Sequence, residues 1–181
     1  MIFIDNRLIE RIKRNDRKAM QELYGLTVRY LSAICHRYVV NEEDVRDVLQ
    51  ETYIKVFRNI SSFEPSDESS MVKWMRKIAV NESLLLLRQK RKESFIEMTE
   101  DIPEKDEEIE IARFSAEELH NAIMLLPTGY RVVLNLYVFE EKSHKEIAKM
   151  LGIKDGSSAS QLNRAKSQLR RILLAKEGGN R

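Results

Sequence analysis

The stretch Ser143-His144-Lys145-Glu146-Ile147-Ala148-Lys149-Met150-Leu151-Gly152-Ile153-Lys154-Asp155-Gly156-Ser157-Ser158-Ala159-Ser160-Gln161-Leu162-Asn163-Arg164-Ala165 decides the fold. Ser143 and Glu146 have capping-box spacing and start a short helix through Ile147, Ala148 and Leu151. Gly152 can take the positive φ that ends it. Ile153-Lys154-Asp155-Gly156 is expected to turn, and Ser157 to cap a long last helix with Leu162, Ala165, Leu169 and Ile172 on its buried face. Ala148 is small where the two helices would cross, and Ile153 is expected to plug the core between them. Short helix, tight turn and basic helix make a helix-turn-helix. An ordinary αα-hairpin reproduces part of the pattern, but not cap, small residue, glycine, plug and basic helix together.

In such a motif the second helix lies in the DNA major groove and reads base edges with its N-terminal residues. Its exposed positions there are expected to be Ser158, Ala159, Gln161, Asn163 and Arg164. Lys154, Lys166, Arg170 and Arg171 are placed to meet phosphates. His144, inside the capping box, is expected to face solvent.

Upstream, Ser115-Ala116-Glu117-Glu118 is a second capping-box pattern, ahead of Leu119, Ile123 and Leu126. Pro127-Thr128-Gly129 breaks that helix, and Val132, Val133, Leu136 and Tyr137 continue at helical spacing. The N-terminal half is helical too. Leu23, Tyr30, Ile34 and Tyr38, with Leu26 and Leu31 beside them, form one apolar stripe. Asn41 caps a second, through Val45, Val48, Leu49, Thr52, Val56, Phe57 and Ile60. Ser61–Ser70 is polar, holds Pro65 and reads as a loop. A third helix carries Met71, Trp74, Met75, Ile78, Ala79 and Leu84–Leu87, giving a lobe of three or four helices.

The chain has 181 residues, of which 43% are hydrophobic, too many for general disorder. Six glycines and three prolines disfavour a turn-rich β fold. The longest aliphatic run, Leu84–Leu87, falls far short of the roughly 18 residues of a membrane span. Met1–Asp5 is too short and lacks the basic leader of a signal peptide. One cysteine, Cys35, allows no internal disulfide and suits a reducing cytosol. The expectation is an all-α cytoplasmic protein with no membrane insertion.

Charge divides the chain. Residues 1–94 hold 18 Lys+Arg against 14 Asp+Glu, residues 95–112 hold one against eight, and residues 113–181 hold 12 against seven. Two basic lobes thus flank an acidic connector with Pro103 and scattered apolar residues, the composition of a solvated, flexible linker. The domains expected are 1–94, the linker 95–112, and 113–177. The connector could also shield the basic lobes by mimicking DNA, though an inert tether is the simpler reading. No glycine-rich phosphate loop, HExxH or nucleophile elbow occurs, which disfavours an enzyme. No His joins the acids at ligand spacing, so neither metal nor cofactor is expected.

At this point the chain resembles a family. Leu125-Leu126-Pro127, Tyr130-Arg131, Val133-Leu134, Leu136, Ser143–Ala148, Leu151-Gly152-Ile153 and Gly156–Ala165 are similar to the promoter-reading domain of bacterial sigma factors. Glu43-Asp44-Val45-Arg46-Asp47-Val48-Leu49-Gln50-Glu51-Thr52-Tyr53 resembles their polymerase-docking helix. Trp74-Met75-Arg76-Lys77-Ile78-Ala79-Val80-Asn81 resembles their promoter-melting helix. Short length and the direct linker point to the extracytoplasmic-function (ECF) group. Residues depart from the commoner pattern at Ala159 and Gln161, where basic residues are frequent, and at Ser158, where an aliphatic is frequent. The loop with Glu64, Asp67 and Glu68 is longer and more acidic, and Leu85–Leu87 replace a more polar helix end.

The resemblance implies a promoter-specificity subunit that binds core RNA polymerase through its β′ and β subunits. Asp44, Asp47, Val48, Gln50 and Glu51 would dock on the β′ coiled coil. Phe63, Ser66, Asp67 and Ser69 in the loop, with Lys73, Arg76, Lys77, Arg88 and Arg91, would hold the opened −10 element. Trp74 would stack on a base or, by default, pack in the core. Lys154, Ser157, Ser158, Ser160, Gln161, Arg164 and Lys166 would bind the −35 duplex. An anti-sigma partner is implied as well. The alternative is a stand-alone helix-turn-helix regulator, which leaves the docking helix and the −10-like loop unexplained.

Overall fold

A computed structural model of the chain describes residues 2–90 and 114–178, and all its regular structure there is helical. The chain divides into two compact units, Met1–Lys92 and Glu93–Arg181. The expected linker, and Arg91 with it, lies outside the described residues. No helix among the described residues is long and apolar enough to cross a membrane.

The first unit contains α1 (Asn6–Lys13), α2 (Arg17–Tyr38), α3 (Glu42–Asn59), a 3-10 turn at Ile60–Ser62, and α4 (Ser70–Lys90). A carboxylate and an amide cap start α2 and α3, the second at the expected Asn41. Asp16 accepts from the Lys18 and Ala19 N–H groups, and Asn41 from those of Glu43 and Asp44. The backbone N–H of Ala19, and after it the Arg11 guanidinium, hold the Asp16 carboxyl below its ordinary pKa. Helix α4 packs on both α2 and α3, burying Leu23, Leu31, Ile34, Val45, Val48, Met71 and Met75.

Helix α2 departs from its expected stripe at one place. Leu26 is 48% exposed, because it lies roughly 100° round the axis from the buried Leu23–Ile34–Tyr38 face. Thr27 takes the inward position. Its hydroxyl bonds the Leu23 carbonyl (2.7 Å) and the Tyr53 hydroxyl (2.8 Å), and burial pushes the Tyr53 phenol up to about 12. Cys35 is fully buried on the same helix, and burial raises its thiol to about 11. Leu84 is buried, whereas Leu85 from the same aliphatic run is exposed.

The second unit contains α5 (Ala116–Met124), α6 (Thr128–Val138), α7 (His144–Leu151) and α8 (Asp155–Gly178). Both expected capping boxes form, Ser115 with Glu118 and Ser143 with Glu146. Residues Tyr130–Leu136 of α6 are buried without a break, which makes α6 the central helix of the unit. Arg131, 4% exposed, donates from Nη1 to the Met124 and Leu126 carbonyls (3.2 and 2.9 Å). A cation there satisfies acceptors left open at the end of α5; burial lowers the Arg131 pKa.

Gly152 closes α7 at φ 69°, and the Ile153 N–H reaches the Ala148 carbonyl at 3.0 Å, the 6→1 bond of a Schellman cap. Ala148 is buried as expected. Ile153 is only half-buried, so it closes the edge of the core rather than filling its centre. The turn is also shorter than the sequence suggested. Helix α8 already begins at Asp155, with the Ser157 and Ser158 N–H groups both donating to the Lys154 carbonyl. Ser157 is therefore inside the first turn and not its cap. Leu162, Ala165 and Leu173 form the deepest part of the buried face, with Ile172 half-buried beside them.

Candidate nucleic-acid interfaces

The start of α8 presents a mixed polar stripe. Successive residues turn by about 100°, so Ser157, Ser160, Gln161 and Arg164 share one side of the helix. Lys154 precedes them and is exposed. Ser160 is exposed, with its hydroxyl turned back to the Gly156 carbonyl (2.9 Å). Gln161 is half-buried, and its Oε1 makes no hydrogen bond. Lys166 is exposed but lies on the opposite side from Arg164, so the two do not share a face.

Ser158 corrects the sequence-based expectation. It is 0% exposed, and its hydroxyl lies 3.1 Å from His144 Nδ1. Position 158 falls on the same side as Leu162 and Ala165, so it belongs to the core face and not to the base-reading stripe. His144 is corrected with it. The imidazole is half-buried and stacks on Tyr137 of α6 (centroids 5.0 Å, planes 20° apart). Sequence reasoning missed this trio; the sign available was a polar residue four before the apolar Leu162.

In the first unit, residues 63–69 join the 3-10 turn to α4. Phe63 stacks on Trp74 (4.8 Å, 25°), both half-buried. Trp74 thus lies against the loop rather than deep in the Met71/Met75 stripe. Asp67 and Ser69 are engaged with each other: the Asp67 carboxylate accepts from the Ser69 N–H (2.7 Å) and hydroxyl (2.5 Å). Those two bonds, hydroxyl first, hold the Asp67 carboxyl below its usual pKa. Ser66 is exposed. Lys73, Lys77 and Arg88 project from α4 into solvent, and Arg76 is half-buried.

On α3, Asp47, Gln50 and Glu51 are exposed. Val48 is 2% exposed and fills the core, so it cannot meet a partner directly. Asp44 is largely covered by Lys90 from the end of α4, whose ammonium donates to its carboxylate. A second ion pair joins the same helices, Lys55 Nζ to the buried Glu82 carboxylate at 2.7 Å.

A helix-turn-helix with a polar recognition stripe, and a separate unit with a cationic helix beside an aromatic loop, define a DNA-engaging protein with two modules. Residues 23–93 match the sigma-70 region 2 family, and residues 116–169 match the sigma-70 region 4 family. The ECF RNA polymerase sigma factor SigW of Bacillus subtilis is 24% identical, covering 91% of this chain and 94% of that protein. The ECF RNA polymerase sigma-E factor of Haemophilus influenzae is 28% identical (91% and 93%). SigE of Mycolicibacterium smegmatis is 30% identical over 77% of this chain, and the match spans about half (56%) of that protein. The solved structure of CnrH in complex with the cytosolic domain of CnrY shares the fold, with a TM-score of 0.51 and 22% identity over 94% of this chain and 97% of that one. The chain belongs to the sigma-70 family, as an ECF RNA polymerase sigma factor directing transcription initiation. Membership implies a specificity subunit.

Proposed function

We propose that residues 1–94 dock on the β′ coiled coil of core RNA polymerase and hold the opened −10 element, and that residues 113–177 bind the −35 duplex, with residues 95–112 as their connector. The β subunit would complete the polymerase contact. The observation that carries this reading is the order of surfaces along the chain. An acidic exposed patch on α3 and a cationic helix with an aromatic loop lie within residues 23–93, which match region 2. The helix-turn-helix that follows falls largely within residues 116–169, which match region 4.

The docking patch is Asp47, Gln50 and Glu51, with Asp44 at its edge; two carboxylates on one helix face suit a basic partner surface. In the −10 loop the Phe63–Trp74 stack offers an apolar wall to an extruded base, and Ser66 offers a free edge. Asp67 and Ser69 hold the loop closed. Lys73, Arg76, Lys77 and Arg88 neutralise strand phosphates. In the second unit, Ser157, Ser160, Gln161 and Arg164 face base edges, and Lys154 meets the backbone. Such a subunit works in the cytoplasm and is restrained by an anti-sigma partner covering these faces. CnrH, which shares the fold, was solved bound to the cytosolic domain of CnrY.

Run-off transcription from fragmented genomic DNA with core polymerase, with and without the chain, tests the reading. New start sites are expected. Their absence, with the chain bound to core, would refute promoter reading. Asp47→Lys with Glu51→Lys is expected to weaken association with core about tenfold or more while helicity is unchanged, measured by fluorescence titration.

A further inference from the structure

We propose that His144 and Ser158 are positioning residues for duplex reading: their hydrogen bond sets how α8 leaves the turn, and so which base edges its exposed stripe can reach. The inference rests on the −35 assignment of the second unit. Three helices meet at the imidazole. It opens α7, stacks on Tyr137 of α6, and bonds Ser158 in the first turns of α8. Stacking fixes the plane of the ring but leaves it free to slide within that plane. The Nδ1–hydroxyl contact removes that freedom and ties it to α8.

Burial makes the contact selective. Ser158 is 0% exposed, so its hydroxyl has no water to fall back on if α8 shifts. A buried hydroxyl without a partner is destabilised, and the helix pose that keeps the bond is favoured over neighbouring poses. The lever is short. Gln161 lies three residues beyond Ser158 and Arg164 six beyond, within two turns. Hydrogen bonds to bases lose strength over a few tenths of an ångström, so a small tilt at Ser158 is read directly as altered base preference. Protonation does not break the link. A neutral ring can accept from the hydroxyl at Nδ1, and an imidazolium can donate to the hydroxyl oxygen. The device is therefore a fixed brace and not a pH switch.

The test uses the full chain bound to core polymerase. Duplexes selected from a randomised pool are compared with scrambled ones, and the ratio of affinities is the discrimination. Ser158→Ala is expected to lower discrimination about fivefold, the worth of one net hydrogen bond. Affinity for scrambled duplex and its salt slope should stay unchanged. Ser158→Thr, which keeps the hydroxyl, should restore most of the loss. His144→Asn, which sets a polar atom close to the place of Nδ1, should do likewise, whereas His144→Leu should match Ser158→Ala. The double variant Ser158→Ala/His144→Leu should be no worse than either single one.

Full discrimination in Ser158→Ala overturns the proposal. So does equal loss in Ser158→Ala, Ser158→Thr and His144→Asn. A wild-type complex that cannot tell selected from scrambled duplex refutes the −35 assignment instead. Amide exchange in the free chain then still decides the brace. Residues 157–164 should exchange faster in Ser158→Ala while α5 is unaffected, and unchanged exchange in α8 overturns it.

Discussion

In the first unit, α3 and α4 are clasped by charge, Lys55 on buried Glu82 and Lys90 on Asp44. In the second, α7 and α8 are clasped by a ring-to-hydroxyl hydrogen bond, His144 on Ser158, and by a glycine cap. The difference follows from what each pair would face. On the docking reading α3 would offer its carboxylates to a basic partner, and Lys90, which covers Asp44, also sets how much of their negative charge is left outward. Helix α8 would lie against a polyanion, whose field pulls on every cation nearby. A brace that ends on the Ser158 hydroxyl would hold such a helix without drawing on the lysines and arginines that meet those phosphates.

The contrast can be broken most forcefully at Lys55. Lys55→Met strands the Glu82 carboxylate in the core and is expected to cost about 2 kcal/mol, less than for a fully buried pair because Lys55 is 41% exposed. Lys55→Met/Glu82→Met should recover most of it, as measured by urea unfolding. A double variant as unstable as the single one would mean that the helices are not charge-clasped. Ser158→Ala should cost about 1 kcal/mol, with no dependence on salt between low and high ionic strength. A salt-dependent loss would erase the distinction between the units.

Gly152→Ala sharpens the comparison further. A Cβ at Gly152 meets nothing within 4 Å, so only the backbone conformation at φ 69° resists it. The expected cost is about 1 kcal/mol in thermal unfolding, with α8 still helical. The smallest effect concerns acid. The Glu146 carboxyl is lowered chiefly by the Ser143 backbone N–H, and Asp16 by that of Ala19. Both are lowered on folding, so each adds stability that is complete above the ordinary carboxylate range, about 4, and is lost as the pH falls through the lower folded value. The melting-temperature gap between wild type and Asp16→Ala should therefore narrow in acid, and Glu146→Ala should behave alike.

What was legible beforehand was local. Asn41, Ser115, Ser143 and Gly152 act within four residues of themselves, so their spacing alone announces them, and the all-helical division into two lobes follows. The contacts that escaped notice span the chain. Thr27 meets Tyr53 across 26 residues, and Lys55 meets Glu82 across 27; no periodicity encodes such a pairing. Ser158 reads as a groove contact because it is a serine in a basic helix, and only the partner fourteen residues back places it in the core. Val48 reads as part of the docking face only by adjacency. It stands next to Asp47, but one residue is about 100° on a helix and separates surface from core.

Cys35 offers a use that concerns neither DNA nor polymerase. It is the chain's single thiol, shielded completely and kept protonated by burial, which raises it to about 11. A thiol-specific dye should therefore ignore the folded protein and label it only when α2 comes away from its neighbours. The labelling rate becomes a clock for opening of the first unit alone, readable while the second remains bound to its target.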